Sequence, residues 1–148
     1  MKVFFGGLLL SVSACSSMSD TPKNLGVQAN GGLLVCPDKP NCISSSDKDP
    51  EKRIEPFKVI QPDKVWQHLK ASAEKVGTVS WVATSETYYY GVFETSIMRF
   101  PDDVEFLLDT SKNIIELRSA SRFGYSDLGK NRSRLEDIRI EFKALQAK

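Results

Sequence analysis

The sequence predicts an α+β domain, an antiparallel four- or five-stranded sheet with two helices packed on one face. Apolar residues at Val65, Trp66, Leu69, Ala73 and Val76 recur at helical spacing. From Val79 onward the period drops to two, and it returns to helical with Leu135, Ile138, Phe142 and Leu145. Short connections between the period-two runs favour an antiparallel meander, and sheet plus helices can bury one shared core. At 148 residues and 41% hydrophobic content the chain has apolar material for one such core.

The first fourteen residues read as a targeting segment rather than as fold. Met1-Lys2 is a short positive region, Val3 to Leu10 is apolar but too short to span a bilayer, and Val12-Ser13-Ala14 leads into Cys15. This order resembles a bacterial lipoprotein signal, which implies lipidation at Cys15, with palmitate among the acyl chains. Ser16 rather than Asp after that cysteine implies sorting to the outer membrane, with the domain facing the periplasm. Residues 15–35 are rich in Ser, Gly, Asn and Thr and read as a lipidated N-terminus and flexible tether. About 20 such residues reach roughly 25 Å. The domain itself is expected from 36 to 148.

In the expected domain, Cys36 and Cys42 bound the loop Pro37-Asp38-Lys39-Pro40-Asn41. An exported chain meets an oxidising compartment, so a disulfide between them is the default and contributes about 2 kcal/mol by loop entropy. A metal site would have only half a tetrahedral shell here, and a redox pair would lack C-x-x-C spacing. Phe57 to Ile60 is a strand candidate. Pro62 is suited to open a helix and Gly77 to end it, while His68 lies off the apolar stripe and reads as a solvated surface residue.

Strand candidates then carry Val79, Trp81 and Ala83; Tyr88, Tyr90 and Val92; Val104, Phe106 and Leu108; and Ile114 to Arg118. For the last helix, Ser133 to Glu136 matches a capping box, with Asn131 an alternative cap.

Charge narrows the function classes. Lys+Arg 20 against Asp+Glu 19 gives a formal net charge of +1, which argues against a nucleic-acid binder. Removal of residues 1–14 takes Lys2 away and leaves the two signs balanced. Membrane affinity must then come from lipid chains.

The segment from Arg118 to Arg134 carries the most chemistry. Arg118, Arg122, Lys130, Arg132 and Arg134 alternate with Ser119, Ser121, Ser126 and Ser133, and Gly124 and Gly129 permit tight turns. Arginine forks and free amides at a helix start suit carboxylate or phosphate. Arg118, Ser119, Ser121, Arg122, Asn131 and Arg132 are therefore candidate anion-binding residues. Asp102, Asp103 and Asp127, together with Glu105, are candidate internal partners for the same arginines.

Catalytic motifs are weak. Gly124-Tyr125-Ser126-Asp127-Leu128 lacks the second glycine of a nucleophile elbow, and no P-loop or dinucleotide fingerprint occurs. A hydrolase or transferase using Asp127 or Ser126 with Arg118 and Arg122 stands as the alternative to a non-catalytic binding module. The module's ligand would be an anionic small molecule, a lipid headgroup or an envelope protein. No cofactor or metal is expected.

Cys36-Pro37, Pro40-Asn41-Cys42-Ile43-Ser44-Ser45, Asp102-Asp103-Val104-Glu105-Phe106, Arg118-Ser119-Ala120-Ser121-Arg122 and Asp127-Leu128-Gly129-Lys130-Asn131-Arg132 occur in that order. With these motifs the chain, from about Leu34 to Leu145, resembles family 1499 of the domains of unknown function (DUF). The resemblance implies that the cysteine loop and the arginine-rich segment belong to the domain's framework. It implies no activity.

Overall fold

The computed structural model describes residues 21–148, so the targeting segment and Cys15 lie outside the described residues. The elements in chain order are β1 (Cys42–Ser44), β2 (Phe57–Lys58), a 3₁₀ turn (Pro62–Lys64), α1 (Val65–Val76), β3 (Val79–Thr84), β4 (Tyr88–Glu94), β5 (Pro101–Asp109), β6 (Ile114–Ser121) and α2 (Lys130–Gln146). The class is α+β. The sheet has six strands in the order β1-β6-β5-β4-β3, with β2 also paired to β6, and every strand pairing is antiparallel. The strand count exceeds the expectation by β1, which at three residues is too short for an alternation to register, while the candidate at Phe57 to Ile60 appears as the two-residue β2.

Alternation divides the sheet into two faces. Val104, Phe106, Ile115, Leu117 and Phe93 share a buried cluster with Leu69 and Ala73 of α1 and with Leu135, Ile138 and Phe142 of α2. That is the helix face. α1 is fixed there by Trp66, which stacks on Tyr89 with centroids 4.0 Å apart and donates its indole N–H to the Glu86 carbonyl. Gly91 is needed beside Trp81, because a Cβ at that position would lie 2.8 Å from Val79 Cγ2 and 3.1 Å from the Trp81 ring. Gly77 ends α1 as expected, in extended backbone at φ −174° rather than in a left-handed cap. His68 differs from expectation: the side chain is half-buried, and its Nδ1 is buried without a hydrogen-bond partner among the described residues.

The opposite face carries Asp103, Glu105, Tyr88, Tyr90 and Arg118, with Ser44, Arg118, Glu105 and Tyr90 in one cross-strand row. It lies beneath the segment expected as tether. Gly26 donates its backbone N–H to Glu105 Oε1 at 2.7 Å, Thr21 reaches the Tyr90 hydroxyl, and Ser44 Oγ donates to the Leu34 carbonyl. Leu33 is 2% exposed. Residues 21–35 thus form a strap on the domain, held by backbone bonds with Glu105 and Ser44 and by the burial of Leu33. Cys36 and Cys42 are bridged, with Cα atoms 5.5 Å apart. Among the described residues no helix is long and apolar enough to cross a membrane.

Candidate functional site

The arginine-rich segment leaves β6 and turns through Gly124 and Gly129, both at positive φ, into α2. Strand alternation sends its side chains in different directions, so the candidate anion-binding residues do not converge.

Arg118 and Arg122 belong to the strap face. Arg118 Nη1 donates to Glu105 Oε2 at 3.1 Å with both residues buried, while Tyr88 donates its hydroxyl to the other Glu105 oxygen at 2.8 Å. Arg122 holds Asp103 through Nε and Nη2 at 2.8–3.1 Å, and Tyr90 donates to Asp103 Oδ1 at 2.5 Å. Both tyrosines and Arg122 are shifted by these surroundings. The bonds to Asp103 raise the Arg122 guanidinium further above its already high range. Burial, then the bond to Asp103, pushes the Tyr90 phenol up to about 12. Burial and the Glu105 charge push Tyr88 higher still.

Ser119, Ser121 and Asn131 belong to the helix face. Asn131 is fully buried; its Oδ1 accepts from Ser119 Oγ and from Arg134 Nη1, the latter at 3.0 Å. Its Nδ2 donates to the Asn41 carbonyl, to Ser121 Oγ and to Asp127 Oδ2. Through Asn41 this network ties the disulfide loop to the start of α2. Arg134 donates to Asp102 Oδ2 at 2.5 Å and lies over the Phe93 ring, 5.0 Å from its centroid. Arg132 points elsewhere and donates to the carbonyls of Glu51 and Arg53, both at 2.9 Å.

The acidic residues sort in the same way. Asp103 pairs with Arg122 and Asp102 with Arg134, whereas Asp127 pairs with no arginine among the described residues. Asp127 Oδ1 accepts from the Gly129 N–H at 3.0 Å, and Oδ2 accepts from the Asn131 N–H at 2.8 Å. It therefore caps α2, and the expected capping box at Ser133 does not form because the helix starts at Lys130, three residues earlier. Ser126 Oγ accepts from the Leu128 N–H.

An open concave feature lies beside this network. A groove of about 760 Å³ runs between the β4–β5 loop (95–100) and the β6–α2 loop (122–129). Asp102, Arg134 and Phe93 lie deep along it, with Ser133, Lys130 and Asp137 on the α2 side, and Ile97, Met98, Phe100 and Leu128 form apolar lips. Phe100 and Phe123 bring the two loops together, with ring centroids 6.3 Å apart. Sequence reasoning missed the lips. Ile97-Met98 is an apolar pair in a turn outside any strand, a signal available only once the turn is placed. His68 does not line the groove, and among the described residues no cluster of His, Cys, Asp or Glu is arranged to hold a metal.

No curated protein and no solved structure gives a significant match to the chain. The family model described as "protein of unknown function (DUF1499)" matches residues 32–142, which span β1 through most of α2. The chain belongs to the DUF1499 family.

Proposed function

We propose that this protein is an outer-membrane-anchored envelope lipoprotein, held through Cys15 and facing the periplasm, whose domain binds a lipid headgroup in the groove without chemistry. The observation that carries the reading is the groove's composition: apolar lips above a polar wall that mixes Lys130 and Arg134 with Asp102 and Asp137. Mixed charge under an apolar rim suits a zwitterionic headgroup with the first part of its acyl chains. A purely anionic small molecule has less support, because Arg118, Arg122 and Arg134 are already salt-bridged to carboxylates. The hydrolase or transferase alternative has less again. Asp127 is engaged as a helix cap, and Arg118 and Arg122 lie on the other face of the sheet from it.

Native mass spectrometry of the intact protein, extracted from its own membranes in mild detergent, tests the reading. The wild type should carry a phospholipid-sized adduct. Ser133→Trp, which fills the groove from an exposed helix position, should lose it while keeping the thermal unfolding midpoint. A wild type free of adduct, or one retained equally by the variant, would overturn the assignment.

A further inference from the structure

We infer that the two loops flanking the groove form a membrane-contact face, with the lipid bilayer itself as the partner. The inference rests on the reading that Cys15 carries lipid. Ile97 is 91% exposed, Met98 64% and Leu128 89%. Single exposed apolar residues are ordinary on a protein surface. Here they come from two loops joined by the Phe100–Phe123 contact and bordering one groove, which makes a patch rather than scattered residues.

The loop that presents Ile97 and Met98 is preformed. Thr95 donates its N–H to the Phe100 carbonyl, and its hydroxyl accepts from the Phe100 N–H at 2.9 Å. Arg99, at φ 51°, grips Glu94 through Nε and Nη2 at 2.9 and 2.7 Å. The turn Ser96–Met98 therefore stands out from the sheet end with its backbone tied below it.

The path of the chain identifies the partner. Thr21 borders a second hollow together with Met98, Arg99 and Phe100. From Cys15 to Thr21 there are six peptide units, which span at most about 22 Å when fully extended. A lipid at Cys15 thus keeps this end of the sheet close to the bilayer surface, while the β5–β6 turn at Thr110 occupies the other end of the same strands. The apolar lips then dip into the headgroup region, and the groove opens where its headgroup ligand resides.

The full chain carrying its own lipid can be labelled with a polarity-sensitive fluorophore at Ile97→Cys or, separately, at Thr110→Cys. Each is placed in vesicles of equal parts phosphatidylethanolamine and phosphatidylglycerol. The expected result is a blue shift and quenching by brominated lipid at position 97, with neither at 110. Equal exposure to water at both positions overturns the membrane face. A blue shift at 97 that needs no vesicles and grows with protein concentration overturns it in favour of a second copy of the chain. Intact mass of the same sample reports acylation separately. An unacylated protein whose position-97 label still shifts would sink the anchor and leave the membrane face standing.

Discussion

The two faces of the central sheet are buried by different means. On the helix face, β5 and β6 contribute Val104, Phe106, Ile115 and Leu117 to a continuous apolar core. On the strap face the same strands contribute Asp103, Glu105 and Arg118, all at most 5% exposed. Two helices cover the first face with their own apolar stripes. The second is sheltered by a segment without regular structure; Asp103 and Glu105 are each matched by an arginine and a tyrosine hydroxyl, and Arg118 Nε is buried without a hydrogen-bond partner among the described residues. Apolar burial tolerates some imprecision of fit, but buried charge tolerates far less, because a lost partner leaves an ion in a medium that cannot solvate it.

The contrast is broken most directly by Glu105→Ala, which strands the Arg118 guanidinium and removes the acceptor of Tyr88 and Gly26. The expected loss is about 3–5 kcal/mol in urea unfolding. Replacing Glu105 and Arg118 together by Leu and Met should recover most of it, since the charge is then absent rather than unpaired. On the helix face, Asn131→Ala removes a neutral hub bonded to Ser119, Ser121, Asn41 and Asp127. Its cost should be smaller, about 1–3 kcal/mol by the same measurement.

The same face is also tested by alkaline pH. Tyr90 keeps its proton in the folded state up to about 12, against 10.0 for an unperturbed phenol. The folded state thus binds more protons in that window, so its contribution is complete below about pH 10 and lost as pH rises through about 12. Thermal midpoints should fall across that range. Tyr90→Phe should flatten the fall in part, with Tyr88 supplying the remainder, and phenolate absorbance would follow both groups.

The meander and both helices were legible because β3 to β6 and the helical stripes are long enough for period to speak. β2 was legible as the candidate at Phe57 to Ile60, but β1 was not, since three residues define no period and its partner β6 lies far along the chain. Asp102-Asp103-Val104-Glu105-Phe106 announced carboxylates beside arginines, and strand alternation alone would have sent Asp102 and Asp103 to opposite partners. The strap was hidden because its anchoring contact uses a glycine backbone N–H, which composition does not reveal. Asp127 was hidden as a cap because Gly129, at φ 77°, starts the helix earlier than the Ser133–Glu136 pattern suggests. The groove's lips were hidden for a related reason, since only the folded hairpin shows Ile97 and Met98 to be outside the core.

The pairing of β1 with β6 also bears on how quickly this domain assembles. The hairpins of the meander join neighbours in sequence, so each closes a short loop. Cys42 meets Ala120 and Gly26 meets Glu105 only across most of the chain. Such distant contacts must be reached by diffusion of a long loop, and folds that depend on them assemble slowly. The charged row on β5 and β6 is covered by the N-terminal segment, so closing off the buried carboxylates depends on one of these long-range contacts.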